Sequence, residues 1–119
     1  MSETREPTVF ERIVAREIPA EIVAETERVI AFADIAPKAP VHVLVVPKTA
    51  AYRDVVELAA GDPALLAEVV EVASRLGAER ADGQFRLVFN TGADAGQTVF
   101  HVHAHVLAGF GGREDHVGL

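Results

Sequence analysis

The sequence predicts one α+β domain, because its strand-like segments come in runs and its helix-like segments are kept apart from them. The chain has 119 residues, a length typical of a single domain. Half of the residues are hydrophobic and 24% are charged, as in ordinary globular proteins with a core. We expect the domain to fill residues 1–119, with a core at about 8–107 and a flexible tail at 108–119.

The first predicted helix is short and lies near the N-terminus. Thr8 and Glu11 have the spacing of a capping box, in which each residue binds a backbone N–H of the other. The apolar-studded segment that follows is VFERIVARE, and Pro19 helps to end it.

The second predicted helix is longer. Asp62 supplies an N-cap and Pro63 the first helical position, where a missing N–H is harmless. The helix is expected to end near Gly77 or to continue through 78–80. Its apolar residues have the spacing of a buried stripe: Leu65, Leu66, Val69, Val70, Val72, Ala73 and Leu76.

The predicted strands are rich in β-branched residues and are bounded by polar turns or prolines. They are EIVAE and RVIAFAD, then VHVLVV closed by Pro47, then GQFRLVFN, and last the longest, TVFHVHAHVLAG at 98–109. A glycine-rich loop, TGADAGQ, connects the last two strands in a hairpin-like manner. The segment YRDVVELA is given no helix or strand.

Composition and charge exclude several classes of function. The net charge is −7 and no basic stripe is visible, so we expect no nucleic acid polymer as a partner. No apolar run is long enough to span a bilayer, and the N-terminus lacks the pattern of a signal peptide, so a cytoplasmic location without membrane contact is expected. The absence of cysteine excludes disulfides, thiolate zinc sites and thiol nucleophiles.

Three of the five histidines alternate in the segment VFHVHAHVL. On a strand, His101, His103 and His105 share one face, while Val102, Ala104 and Val106 face the core. The outer two would lie roughly 13 Å apart, too far to bind one zinc ion at about 2.0–2.1 Å unless the strand bends. The residues alone leave three interpretations open: phosphoryl or acyl chemistry, metal binding by neighbouring members, or a solvated strand face.

The loop before these histidines could bind an anion. Gly92 and Gly96 allow positive φ, which lets backbone N–H groups converge. Asn90, Gln97 and Thr98 can donate through their side chains. A glycine-rich connector is by itself a weak signal, but its position beside the histidines suggests a phosphate cradle.

A fourth histidine, His42, lies in the strand segment VHVLVV. Alternation places it on the same face as Leu44 and Val46. A lone histidine on an apolar strand is more often a satisfied core residue than a functional one, so the residues alone favour a structural role.

The segment HVHAHVL resembles the signature of the histidine triad (HIT) superfamily of nucleotide hydrolases and transferases. Two further blocks, TVFERIVAREIPAEIV and AFADIAPKAPVHVLVVPK, are similar in order and spacing to the Hint branch, the nucleoside phosphoramidate hydrolases. The resemblance runs from about Thr8 to Leu107. It implies a central antiparallel sheet of about five strands with a long helix and a short N-terminal helix, and a homodimer with a ten-stranded sheet.

The resemblance also implies catalytic roles. His103 corresponds to the nucleophile that attacks the α-phosphorus and carries a nucleotidyl group, and His105 to a ligand of the phosphate and the bridging atom. His101 and His42 correspond to residues that fix ring tautomer and orientation. Thr98 or a neighbouring histidine would relay a proton to the leaving amine. No metal or other cofactor is required.

The nucleotide-binding residues are likewise implied by the resemblance. Phosphate and leaving group would contact Asn90, Gly96, Gln97 and Thr98, and the ribose hydroxyls would contact Asp34. The apolar residues around the base would be Phe10, Ile13, Phe32, Ile35 and Leu44.

The expected activity is hydrolysis of a purine nucleoside 5′-phosphoramidate through a nucleotidyl-histidine intermediate. Three alternatives remain: hydrolysis of dinucleoside polyphosphates, a non-catalytic nucleotide-binding module, and a metal-binding protein. The chain departs from many Hint relatives at Ala33 and Ala50, where they have histidine, and its tail lacks the tryptophan of some relatives. No function is predicted for His116.

Overall fold

The fold is a five-stranded antiparallel sheet with helices on both faces. The computed structural model describes residues 6–111. The strands follow the order β1-β2-β3-β5-β4 across the sheet. The elements along the chain are α1 (Val9–Val14), β1 (Ile22–Glu25), β2 (Val29–Ala33), β3 (Val41–Pro47), α2 (Val55–Gly61), α3 (Pro63–Ala81), β4 (Arg86–Val88), a 3-10 turn (Ala93–Ala95) and β5 (Ala104–Ala108). The predicted α+β fold is confirmed.

The two faces of the sheet bury separate hydrophobic clusters. The larger cluster joins the sheet to α2 and α3 through Val29, Ala31, Val43, Val45, Leu58, Leu65, Val69, Val72, Ala73, Leu76, Val102, Ala104 and Val106. The smaller cluster joins the other face to α1 through Phe10, Ile13, Ile30, Phe32, Leu44 and Val46. The predicted inward packing of Val102, Ala104 and Val106 is confirmed. Within residues 6–111, no helix is long and apolar enough to cross a bilayer.

Helix α1 begins with the predicted capping box. The Thr8 hydroxyl accepts from the Glu11 N–H at 3.1 Å, and the Glu11 carboxylate accepts from the Thr8 N–H at 2.8 Å. The predicted extension through Glu17 is wrong, because the helix ends at Val14 and Arg16 adopts a left-handed φ of 63°. The chain therefore turns before Pro19.

Helix α3 begins as predicted, with the Asp62 side chain accepting from the Leu65 N–H at 3.0 Å. It continues past Gly77 to Ala81 and ends at Asp82, which is left-handed. Gly77 is not a stop signal: a Cβ there would lie 2.3 Å from Cδ1 of Phe85. Glycine is needed at this position because the Phe85 ring packs against the helix backbone.

Helix α2 was not predicted from the sequence. Its N-cap is Asp54, whose side chain accepts from the Glu57 N–H at 2.9 Å. Seven residues are too few for a recognisable apolar period, so the cap was the available signal. The predicted strand at 83–90 is shorter than expected, since β4 covers only Arg86–Val88.

The predicted long strand at 98–109 is wrong in its first half. Strand β5 begins at Ala104, so His105 is the one member of the histidine row that lies in it. The segment before it is held by the end of β3 and the loop that follows: His101 Nε2 lies 2.7 Å from the Pro47 carbonyl oxygen, and the Val102 N–H donates to the Tyr52 carbonyl at 3.0 Å. Ala108, expected in the tail, is buried and pairs with Val41. Residues 112–119, including His116, lie outside the described residues.

Candidate active site

A cavity of about 540 Å³ opens on the sheet face that carries α1. Its lining includes many of the residues predicted from the sequence: Phe10, Ile13, Phe32, Asp34, Ile35, Leu44, Thr98, His103 and His105. The other lining residues are Val9, Ile18, Pro19, Ala20, Glu21, Ala33 and Val99. The wall is therefore mostly apolar. Its polar groups are two imidazoles, a threonine hydroxyl and two carboxylates.

His103 is held with one ring nitrogen directed into the protein. Its Nδ1 lies 2.8 Å from the carbonyl oxygen of His101. A carbonyl can only accept, so Nδ1 carries the hydrogen and the neutral ring keeps a lone pair on Nε2. The ring of Phe10 meets that of His103 edge-on at 4.8 Å between centroids, which fixes the plane of the imidazole.

His105 is held by His42, which lies behind it. The Lys38 N–H donates to His42 Nδ1 at 2.9 Å, so the neutral His42 ring carries its hydrogen on Nε2. That Nε2 lies 3.0 Å from His105 Nδ1, which therefore accepts. His105 in turn carries its hydrogen on Nε2. Since the ring lines the cavity, Nε2–H is the donor that it can offer to a bound ligand.

His101 and His42 are both buried and neither lines the cavity. His101 is fully buried, with its Nε2 directed at the Pro47 carbonyl oxygen. The two residues therefore contact the cavity-lining histidines rather than a ligand: His42 through its ring and His101 through its carbonyl group. These contacts are consistent with the supporting roles that the resemblance implies for them.

Asp34 follows the end of β2 and contacts His42, the histidine behind His105. Its Oδ1 accepts from the Ala36 N–H at 2.8 Å, which folds the next residues into a tight turn. Its Oδ2 lies 3.4 Å from His42 Nε2. The turn leaves the Ile35 side chain fully exposed at the edge of the cavity.

One group within residues 6–111 has the ligand atoms for a metal ion. Asp34, His42 and His105 each offer an atom, and these atoms lie within 4.8 Å of one another. Two imidazoles and a carboxylate are a donor set that zinc accepts. An ion there would replace the His42–His105 hydrogen bond, because it needs the lone pair on His42 Nε2. This group differs from the set of row neighbours that the sequence suggested.

The two cavity-lining histidines, and His42 behind them, are all biased toward the neutral form. Burial lowers the pKa of His103 below its usual value of 6.5. Burial also lowers the pKa of His42, against the opposing effect of Asp34. Burial, together with the neighbouring His103 and His42, lowers the pKa of His105 to about 4. At neutral pH the site therefore holds uncharged imidazoles, as the assigned hydrogen bonds require.

These shifts predict that the free energy of unfolding falls on acidification. The unfolded chain binds protons at these histidines near pH 6.5, whereas native His105 does so only near 4. The unfolded state therefore holds more protons between these values, and stability is lost as the pH falls through that window. We expect urea unfolding at pH 7.5, 6.5, 5.5 and 5.0 to show this decline. His105→Gln should show a smaller decline, and an unchanged slope would contradict the assignment.

The glycine-rich loop differs from the predicted cradle. Gly92 and Gly96 do have positive φ, of 92° and 98°, as expected. However, the N–H groups of Ala95, Gly96 and Gln97 donate to carbonyls of Gly92 and Ala93 in the same loop. They do not converge on an anion, because the short 3-10 turn satisfies them internally. Asn90 and Gly96 do not line the cavity, whereas Thr98 does.

Gln97 is buried and braces this loop. Its Oε1 accepts from the Gly92 N–H at 2.8 Å. Its Nε2 donates to the carbonyls of Arg53 at 2.6 Å and Val99 at 3.1 Å. These bonds fix the start of the segment that leads to His101. In the structure the Gln97 side chain bonds the backbone of its own loop and of Arg53. Its predicted contact with a phosphate stays a prediction.

One wall of the cavity was not found from the sequence. It consists of the residues between α1 and β1, namely Ile18, Pro19, Ala20 and Glu21. In the sequence this segment contained the stop signal of Pro19 and the first residue of the predicted strand EIVAE. Its position depends on a long-range contact, the bond from the Ala33 N–H to the Glu21 carbonyl at 2.9 Å. No local pattern predicts such a contact.

Comparison with known proteins agrees with this geometry. The sequence model of the HIT domain family matches residues 15–112 of this chain. The chain belongs to the HIT domain family. An uncharacterized HIT-like protein of Synechocystis is 47% identical to this HIT protein over 108 residues, which cover 87% of this chain and 91% of that protein. The purine nucleoside phosphoramidase of Escherichia coli is 37% identical over 106 residues, covering 87% and 88%.

The fold of this HIT protein is also that of a solved relative. A HIT family hydrolase from Clostridium thermocellum superposes with a TM-score of 0.85 at 40% identity, covering 94% of this chain and 98% of that one. The resemblance noted from the histidine row is thus confirmed at the level of family and fold. In sequence and architecture this HIT protein is similar to hydrolases.

Proposed function

We propose that this HIT protein hydrolyses purine nucleoside 5′-phosphoramidates through a nucleotidyl group carried on His103. The observation that carries the proposal is the hydrogen bond from His103 Nδ1 to the His101 carbonyl, because it leaves the Nε2 lone pair available beside the cavity. The similarity to a protein named purine nucleoside phosphoramidase supports the choice of substrate.

The first step forms a bond between His103 Nε2 and the α-phosphorus. The bond from phosphorus to the amine nitrogen breaks, its electron pair stays on that nitrogen, and the nitrogen takes up a proton that comes from solvent. Thr98, an exposed hydroxyl at the cavity, and His105 line the route for that proton. A neutral imidazole performs this attack without a separate strong base, and burial keeps His103 neutral.

Charge that develops on the phosphate oxygens needs a preorganised donor. The Nε2–H group of His105 supplies one, since His42 fixes its tautomer from behind.

In the second step a water molecule attacks phosphorus and loses a proton to solvent. The bond to His103 breaks with its electron pair returning to Nε2. The product is the nucleoside 5′-monophosphate.

The nucleoside would occupy the apolar part of the cavity. Several apolar side chains that line the cavity offer faces for a base: Phe10, Ile13, Phe32, Leu44 and the exposed Ile35. In this proposal Asp34, which lines the cavity, binds the ribose hydroxyls. The phosphate-side roles of Asn90, Gly96 and Gln97 are those that the resemblance implies. The expected homodimer and cytoplasmic location are likewise part of this proposal.

The charges of the lining favour an amine over a polyphosphate as leaving group. The charged side chains among the cavity residues described above are the carboxylates of Asp34 and Glu21. A polyphosphate would bring several further negative charges beside them, whereas an amine brings none. This is why we prefer a phosphoramidate to a dinucleoside polyphosphate.

The test is to mix the protein with an AMP–amine conjugate labelled on the adenosine. We expect release of labelled AMP. After rapid acid-free quenching, intact mass spectrometry should also detect a covalent adduct of one AMP per protein chain. A faster rate on a diadenosine polyphosphate would reassign the leaving group. Binding of AMP without turnover of either substrate would instead indicate a nucleotide-binding module.

A further inference from the structure

The N-cap residue of α1 also contacts the histidine row. The Thr8 hydroxyl oxygen lies 3.3 Å from Nδ1 of His101, 93 positions further along the chain. The same oxygen accepts from the Glu11 N–H, as an N-cap does. One side chain therefore serves both the start of the helix and a buried histidine.

The direction of the hydrogen bond follows from the other side of the His101 ring. Its Nε2 lies 2.7 Å from the Pro47 carbonyl oxygen, which can only accept, so Nε2 carries the hydrogen. The neutral ring must then accept at Nδ1, and the Thr8 hydroxyl donates to it. His101 also offers its own carbonyl oxygen to His103 Nδ1 at 2.8 Å.

We propose that Thr8 is a positioning residue, whose hydroxyl donates to Nδ1 of His101, holds that ring against the Pro47 carbonyl and thereby fixes the backbone carbonyl that orients His103. Phe10, two residues further along the chain, adds an apolar brace: its ring contacts those of His101 and His103 at 5.9 and 4.8 Å between centroids. The first turn of α1 thus supports the nucleophile through both a hydrogen bond and ring packing. The inference rests on the proposed role of His103.

Three variants separate this role from that of the helix cap. Thr8→Ser keeps the cap and the donor. Thr8→Asp keeps the cap, since aspartate is a good N-cap, but its carboxylate cannot donate and instead draws a proton onto His101 Nδ1. Thr8→Val loses both. As a matched control, Asp62→Ala removes the N-cap of α3, a residue outside the cavity lining.

The first measurement is independent of activity. In ¹⁵N NMR of the ring nitrogens, we expect His101 of the wild-type protein and of Thr8→Ser to show an unprotonated Nδ1 and a protonated Nε2. In Thr8→Asp both nitrogens should be protonated. The same pair of His101 signals in Thr8→Asp as in the wild type would overturn the inference, even if the proposed activity were absent.

The second measurement is the rate on the AMP–amine conjugate. We expect kcat to fall about 10-fold or more in Thr8→Val with KM little changed, because a misplaced nucleophile slows the chemical step rather than binding. Thr8→Ser and Asp62→Ala should keep the wild-type kcat. A wild-type kcat in Thr8→Val would refute the positioning role while leaving the proposed function intact. A wild-type protein that forms no AMP adduct would refute the proposed function instead.

Discussion

Replacing His103 with alanine is expected to lower the rate of phosphoramidate hydrolysis by about six orders of magnitude, the scale seen when a catalytic nucleophile is removed. The reason is chemical: among the cavity residues within 6–111, no other has an imidazole lone pair that its hydrogen bonds leave directed at the ligand. His105 uses Nδ1 to accept from His42, so its remaining nitrogen is a donor. Single-turnover kinetics with excess enzyme measure the effect directly.

The His103→Ala variant must also be shown to be folded and able to bind. We expect its affinity for AMP to stay close to that of the wild type, because the apolar wall and Asp34 are unchanged. No AMP adduct should appear by mass spectrometry. Hydrolysis within 10-fold of the wild-type rate would contradict the assignment of the nucleophile and shift attention to a mechanism in which water attacks directly.

Much of the site could be predicted because its parts are local or periodic. The capping box needs only Thr8 and Glu11, three positions apart. The inward packing around His103 follows from strict alternation, since Val102 and Ala104 are buried in the core cluster. The opposite faces of β3 follow in the same way. Such features depend on side-chain direction along an extended chain, which a sequence specifies.

The errors concern features that depend on distant partners. The segment that carries His101 is not a sheet strand, because its polar groups bind the last residue of β3 and the loop after it. Gly77 resembles a helix end until the Phe85 ring is seen to occupy the space beside it. The wall formed by residues 18–21 is set by a bond to Ala33. No window of neighbouring residues contains these contacts.

A second large effect is expected at His105. Replacing it with alanine should lower kcat about 10²- to 10³-fold, the usual loss when one preorganised donor to a developing oxyanion is removed. The Nε2–H group of His105 strengthens its interaction as charge builds on the phosphate oxygens, so KM should change less than kcat. The AMP adduct on His103 should still form, but slowly. A kcat within 5-fold of the wild-type value would contradict this role.

The role assigned to His42 makes this prediction sharper, because His42 is expected to act through His105 alone. His42→Ala should also lower kcat, since it frees His105 to adopt the tautomer with Nε2 unprotonated, which cannot donate. The double variant should then be no slower than His105→Ala, because the second substitution removes nothing further. Losses that multiply in the double variant would show that His42 contributes by another route, such as its contact with Asp34 at 3.4 Å.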